Sequence, residues 1–334
     1  MKKAILLINL GTPDSCDAKS VKKYLREFLN DPRVVDLPKI IRWPLVNLRI
    51  IPSRYKNTLS LYEKIWTDEG SPLLNISTQI KEKLAEKLGD EYHVELGMRY
   101  GNPSIESAFE KIRNSESITV IPLFPQYSSA ATGSAVDEFL STFSSQWNIP
   151  GLSIKQDFYN DSGFIAAVTE VIKNNLADKM IDKLIFSYHG LPERHITKSN
   201  CRAACDHIHA CPAVTTANRF CYRAQCYETS ALVAESLGLS ADDYVVSFQS
   251  RLGRTPWIKP YTDLLLPELI QQGVQNIAMV SPSFVADCLE TLEEINIRLR
   301  KQWQEIGGKE FTFIPCVNGN EIFIDALSQW SLHV

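Results

Sequence analysis

No apolar run in the 334-residue chain approaches the roughly 18 uninterrupted positions of a membrane-crossing helix, so an integral membrane protein is not expected. One sign of charge does not dominate either. Lysine and arginine number 35 against 39 acidic side chains, leaving a formal net charge of -4, which gives no electrostatic footing for nucleic acid. Neither a Walker loop nor G-x-G-x-x-G is present, so nothing supports a nucleotide site. The opening "MKKAILLINLGTPDS" has lysines before an apolar run, but the run is short and ends in Gly-Thr-Pro-Asp rather than at a small-residue cleavage site. It reads as a first buried strand. A cytoplasmic protein is therefore expected, in a compartment that keeps cysteines reduced.

What the chain does have is length and alternation. At 334 residues it exceeds the roughly 250 to 300 at which a single core stops growing, so two lobes are expected. Short apolar runs at 4–10, 92–98, 117–123, 152–158, 183–189, 244–250, 276–282 and 311–315 read as strands, separated by amphipathic stretches such as 77–89, 161–176 and 287–303. That pattern is an α/β fold with parallel sheets covered by helices on both faces. Gly11-Thr12-Pro13 and Pro122-Leu123-Phe124 are echoed by Gly190-Leu191-Pro192 and Pro282-Ser283-Phe284. A duplicated unit would produce this echo, with its strand ends at a ligand site.

Three stretches carry chemistry. In "LIFSYHGLPERH", His189 ends a buried strand, where a ring nitrogen can reach a ligand; a half-buried histidine satisfied by backbone is the alternative. In "SPSFVADCLETLEEI", Asp287, Glu290 and Glu294 recur at spacings of three and four, which an α-helix gathers on one face. Such carboxylates can pass protons or guide a divalent cation, or they are a solvated face. Residues 37–57 mix bulky apolar side chains with Lys39, Arg42, Arg49, Arg54 and Lys56 and no acid. This segment suits a membrane surface or the mouth of an apolar pocket, or a packed helix with snorkelling basic residues.

Seven blocks in order, "LLINLGTPDS", "IWTDEGSPLL", "MRYGNPSI", "PLFPQYSSAATGS", "FSYHGLPERH", "SFQSRLGRTPWIKPYTD" and "FVADCLETLEEI", span nearly the whole chain and resemble ferrochelatase, which inserts ferrous iron into a porphyrin. The resemblance implies two Rossmann-like lobes of the class II chelatase fold, each a parallel four-stranded sheet flanked by helices, with the porphyrin in the cleft between them. It places one lobe at 1–150, including a lip at 37–57, and the other at 151–315, with a C-terminal helix within 316–334 packing back on the first. It makes His189 and Glu290 the metal-site residues, with Asp287 and Glu294 continuing the acidic line. Arg54 and Ser71 would hold propionates, and Arg99, Tyr100, Phe124, Trp257 and Phe284 would line the pocket. Leu10 stands where coproporphyrin-using members carry tyrosine, which favours protoporphyrin IX and haem b. The lip would also touch the membrane surface.

"CRAACDHIHACPAVTTANRFCYRAQC" packs five of the eight cysteines into residues 201–226, inside an insertion at 198–226. The segment resembles the internal insertion with which a bacterial subclass binds a [2Fe-2S] cluster. By that resemblance Cys205, Cys211, Cys221 and Cys226 are the ligands, with Cys201 as the alternate. Zinc, aided by His207 and His209, is the other metal that such donors suit, and simple thiols or disulfides are a third reading. Chelation of another tetrapyrrole such as coproporphyrin III, use of cobalt, and a non-catalytic haem or porphyrin sensor are the rival functions. Oligomeric state is not legible in the sequence.

Overall fold

Apolar runs without alternation, such as Ala-Ile-Leu-Leu-Ile at 4–8, suit strands covered on both faces. The structure, a computed structural model, describes residues 2–177, 179–199, 211, 213–251, 253 and 255–332, and it leaves each of those five side chains 1% exposed or less. The chain divides into two compact units, one of Met1–Phe124, Ser129–Asp157 and Ile324–Val334, the other of Pro125–Ser128 and Phe158–Phe323.

The first unit holds a parallel sheet of β1 (Lys3–Gly11), β2 (Tyr92–Tyr100), β3 (Ser117–Pro122) and β4 (Gly151–Ile154), in the order β2-β1-β3-β4. Its helices are α1 (Ala18–Leu29), α2 (Lys39–Pro44), α3 (Ile51–Glu63), α4 (Pro72–Leu88), α5 (Ile105–Ile112) and α6 (Ser134–Phe143). A π-helical segment, Leu45–Ile50, joins α2 to α3. The Asp17 carboxylate starts α1 by accepting from the Lys19 and Ser20 amides at 2.7 and 3.0 Å. Leu6 and Ile8 of the sheet pack with Ile105, Phe109, Phe139 and Phe143. After β1 the chain must turn beside β2: a Cβ on Gly11, whose φ is +108°, would lie 1.7 Å from the Tyr100 carbonyl oxygen, so only glycine fits.

The second unit repeats this arrangement with β5 (Lys183–His189), β6 (Tyr244–Gln249), β7 (Asn276–Val280) and β8 (Glu310–Phe313), in the order β6-β5-β7-β8. Each sheet thus runs second, first, third, fourth, as a duplicated unit would. Its helices are α7 (Ser162–Leu176), α8 (Glu193–Lys198), α9 (Tyr222–Leu237), α10 (Thr262–Gln271) and α11 (Arg300–Glu305), the last reached through a π-helix over Glu290–Leu299. Final helix α12 (Glu321–Leu332) belongs to the first unit from Ile324 onward, where Lys155 stands 4.8 Å from the Trp330 ring centre.

The division falls after Asp157 rather than at residue 150, because β4 pairs in register with β3, Ser117 with Gly151 and Val120 with Ile154, and completes the first sheet. The strand expected over 152–158 ends at Ile154, since Lys155 is the last residue of the stretch whose amide reaches β3, donating to the Val120 carbonyl at 2.9 Å.

Candidate active site

His189 is the last residue of β5, at the strand end where open parallel sheets take ligands. Its Nδ1 lies 2.6 Å from the Gly190 carbonyl oxygen. A carbonyl only accepts, so Nδ1 carries the proton and Nε2 keeps its lone pair. The main chain of the histidine is fixed on both sides: its amide donates to Ser283 Oγ at 3.2 Å, and its carbonyl accepts from the Tyr222 hydroxyl at 2.9 Å. The Phe284 ring meets the imidazole edge to face at 6.4 Å. Trp257 comes close too, because its segment pairs with the chain after His189 through the Ile258 amide and the Leu191 carbonyl, 2.9 Å apart. A Cβ on Gly190 would lie 2.7 Å from the Gln249 carbonyl oxygen and 3.3 Å from Trp257 Cε3, so the glycine lets these elements converge.

The three carboxylates do not share one α-helical face. Asp287 precedes the helix and is 5% exposed. It accepts from Thr291 Oγ1 at 2.9 Å, Asn318 Nδ2 at 2.8 Å and the Cys316 amide at 3.2 Å. Glu294 accepts from the Ser250 amide at 3.1 Å, from the Ser250 hydroxyl, and from Arg298 at 3.0 Å. Glu290 lies between them at the start of the π-helix, half-buried. Its main-chain carbonyl accepts from Gln249 Nε2 at 2.9 Å. The Cys288 thiol is its neighbour, pushed well up from the ordinary thiol range by burial and then by the Glu290 charge. Asp287 falls outside the helix, which is the reason that the one-face argument fails for it; Glu290 and Glu294 both lie in the π-helix, an element common at functional sites.

His189, Glu290, Trp257 and Phe284 thus share one unit with their supports. Sequence reasoning passed over Gln249, Tyr222, Ser283 and Arg298. The one signal available was a polar glutamine closing the otherwise apolar strand "YVVSFQ".

The remaining expected site residues lie in the first unit. Ser71 caps the start of α4, 4% exposed, and its hydroxyl donates to Thr12 Oγ1 at 2.8 Å. Leu10 packs partly buried on the sheet core, which also holds Phe124. Arg99 and Tyr100 converge on the buried Asp31: Arg99 reaches its carboxylate at 2.7 Å, the Tyr100 hydroxyl at 2.9 Å and the Ser134 hydroxyl at 2.5 Å. Burial raises the Asp31 carboxyl, but the donors Ser134, Arg33 N–H and Tyr100, with the Arg99 charge, hold it below the usual range. The Tyr100 hydroxyl is pushed up by burial and by Asp31. Arg54 is exposed on α3. Within 37–57, Ile40, Trp43 and Leu48 are 85, 53 and 69% exposed. Arg42 instead turns inward and donates to the Leu37 carbonyl at 2.8 Å. No helix among the described residues is long and apolar enough to cross a membrane.

Of the five clustered cysteines, Cys201 and Cys205 lie outside the described residues, as do His207 and His209. Cys221 and Cys226 are buried at the start of α9 and Cys211 is half-buried. Burial pushes the Cys226 thiol well up, Cys221 adds to this and Arg223 opposes it. Burial also raises the Tyr227 hydroxyl, and both Cys211 and Cys226 add to that shift. Among the described residues no group of three or more histidine, cysteine or acidic side chains is already gathered to hold a metal ion.

A family model described as Ferrochelatase matches residues 2–333. The chain is 50% identical over 327 residues to the ferrochelatase of Legionella pneumophila (strain Paris), covering 98% of each chain. It is 46% identical over 331 residues to that of Coxiella burnetii (strain CbuK_Q154), covering 98% of this chain and 92% of the other. Among solved structures, the cobalt complex of the sirohydrochlorin chelatase SirB from Bacillus subtilis subspecies spizizenii aligns with a TM-score of 0.55 at 11% identity, over 98% of this chain and 92% of that one. CbiX, described as the terminal enzyme of sirohaem biosynthesis in denitrifying bacteria, aligns at 0.50 and 11% identity, over 99% and 100%. At that identity the two share the fold.

Proposed function

The chain belongs to the ferrochelatase family, and from that premise we propose how its own residues carry the reaction. The enzyme inserts Fe(II) into protoporphyrin IX, forming protohaem at the end of haem synthesis; two pyrrole protons leave as the metal enters. A flat porphyrin turns its nitrogen lone pairs inward, away from an approaching cation. A pocket that grips the ring and its propionates can use that remote binding energy to bend it and expose the nitrogens on one face.

The lone pair of His189 Nε2 first ligates the incoming iron and, once the ion has passed to the ring nitrogens, is free to accept a pyrrole proton. Glu290 supplies the carboxylate. An imidazole and a carboxylate suit Fe(II) without the grip of thiolates, so the ion can be handed on. Asp287 and Glu294 flank Glu290 as the fixed ends of the acidic set, holding negative charge along the path of protons and iron. Trp257 and Phe284 present apolar surface to the macrocycle beside His189. In the first unit, Arg54 and Ser71 are assigned to the propionates, and Leu10 and Phe124 to apolar contact with the substrate. Arg99 and Tyr100 act through the buried Asp31 cluster of the same unit. The exposed Ile40, Trp43 and Leu48, with Lys39 and Arg49, rest on the membrane surface of a cytoplasmic enzyme, where an apolar porphyrin would be delivered.

The observation that carries this reading is the 2.6 Å contact from His189 Nδ1 to the Gly190 carbonyl, which in the neutral ring leaves the lone pair on Nε2. An anaerobic assay with Fe(II) and protoporphyrin tests it: His189→Ala should bind porphyrin, measured by fluorescence quenching, and insert no iron. Wild-type protein that binds the ring without metallating it would favour the porphyrin sensor instead.

The thiol segment suits a [2Fe-2S] centre held by Cys211, Cys221, Cys226 and Cys205, with Cys201 as alternate. Its donors are the right ones, and Arg223, 6% exposed beside them, offsets part of the thiolate charge. Such a centre supplies a covalent staple for a loop with few apolar residues. No step of metal insertion passes through it.

A further inference from the structure

We propose that Gln249 is a positioning residue that fixes the separation of the His189 imidazole from Glu290, an inference resting on the roles given to those two residues above. Gln249 closes β6 as the register partner of His189 on β5 and is 3% exposed. Its main chain holds one site residue: its carbonyl accepts from the Gly190 amide, next to His189, at 2.8 Å. Its side chain holds the other, Nε2 donating to the Glu290 carbonyl at 2.9 Å. One buried residue therefore ties the end of the histidine strand to the first residue of the π-helix.

The amide cannot turn over or swing away. Its Oε1 accepts from Ser187 Oγ of β5 at 2.7 Å, and Ser281 Oγ, just past β7, packs 3.2 Å from it. With the Ser187 hydroxyl donating to Oε1, Nε2 faces the Glu290 carbonyl; the reverse orientation would set Oε1 against that carbonyl, two acceptors without a proton between them. Those hydroxyls are themselves fixed: Ser281 Oγ donates to the Ser187 carbonyl at 2.5 Å, and Thr262 Oγ1 lies 2.9 Å from both Ser187 Oγ and Ser247 Oγ. A fully satisfied buried network of this kind is rigid. Rigidity matters because both ligands must reach one ion, and a misplacement of about 1 Å costs roughly 100-fold in rate.

The test uses the full-length protein in the anaerobic Fe(II)–protoporphyrin assay, with Zn(II) in parallel and thermal melting as the measure of folding. Gln249→Met keeps the length and removes the donor; Thr262→Val removes two bonds of the same network without touching Glu290. We expect both to melt earlier by similar amounts. Gln249→Met should lose roughly 10- to 100-fold in kcat with KM for porphyrin nearly unchanged and a changed ratio of Zn(II) to Fe(II) turnover, while Thr262→Val keeps wild-type kcat and metal ratio. If Gln249→Met does not fold, Gln249→Asn, whose shorter arm draws the helix start toward β6, is held to the same criteria. A folded Gln249 variant with wild-type kcat, or a Thr262→Val variant that loses as much turnover and shifts the metal ratio as far, overturns the proposal while the wild type still inserts iron. A wild type that inserts no iron overturns the parent reading instead.

Discussion

Replacing Asp287 by alanine removes a carboxylate that three donors use at once: the Thr291 hydroxyl, the Asn318 amide and the Cys316 main-chain amide. Each bond to a buried charged acceptor contributes about 1.5–3 kcal/mol, and they are not additive, because the three donors stay behind without a partner. Breaking such a buried set costs about 3–5 kcal/mol. For a unit the size of Phe158–Phe323, about 1 kcal/mol moves the melting midpoint by about 2–4 °C, so Asp287→Ala should melt about 6–20 °C earlier. Asp287→Asn keeps one acceptor oxygen and should lose about half as much. Glu290→Gln, at a carboxylate with no ion pair among the described residues, should melt within about 2 °C of wild type yet lose most of its turnover. Scanning calorimetry beside anaerobic kinetics decides. An Asp287→Ala protein that melts like wild type but cannot metallate porphyrin would refute the anchoring argument and make Asp287 a reacting group.

Other outcomes are expected. The Asp31 carboxyl is held below its ordinary range when folded, so its stabilisation is present above about pH 4 and fades as pH falls through the lowered folded value; the melting difference between wild type and Asp31→Asn should be widest at neutral pH and close in acid. Cys226→Ser should abolish dithionite-bleachable visible bands and equimolar iron and sulfide in anaerobically purified protein; zinc in their place in the wild type would refute the iron-sulfur assignment. Ile40→Glu with Trp43→Glu puts charge on the exposed apolar face of 37–57 and should stop co-sedimentation with anionic vesicles, whereas unchanged sedimentation would remove that face from the membrane contact.

The central strands were legible in the sequence because parallel strands buried on both faces are written as continuous apolar runs, whereas the exposed edge strand β4 is shorter than its stretch implied; the Gly-x-Pro echo foreshadowed the shared strand order. The place of His189 followed from its strand end. The carboxylates were less legible. Asp287 is anchored by Asn318 and Cys316, which arrive from beyond β8, and no local pattern announces partners so distant. Spacings of three and four imply one face only where every residue is helical, and Asp287 precedes the helix. Arg42 reads like its neighbouring basic residues but is spent on the Val35 and Leu37 carbonyls. Gln249 is written as one polar letter at a strand end; its importance lies in what its amide reaches, and only the fold supplies that.

The protonation of a single imidazole nitrogen decides the account. Long-range 1H–15N correlation spectra of histidine-labelled protein, with the His189 signals assigned by loss in His189→Gln, should show the Nδ1–H tautomer with a bare Nε2 that responds when a divalent cation is added. A spectrum with the proton on Nε2, or one whose ring signals ignore the cation, would contradict it.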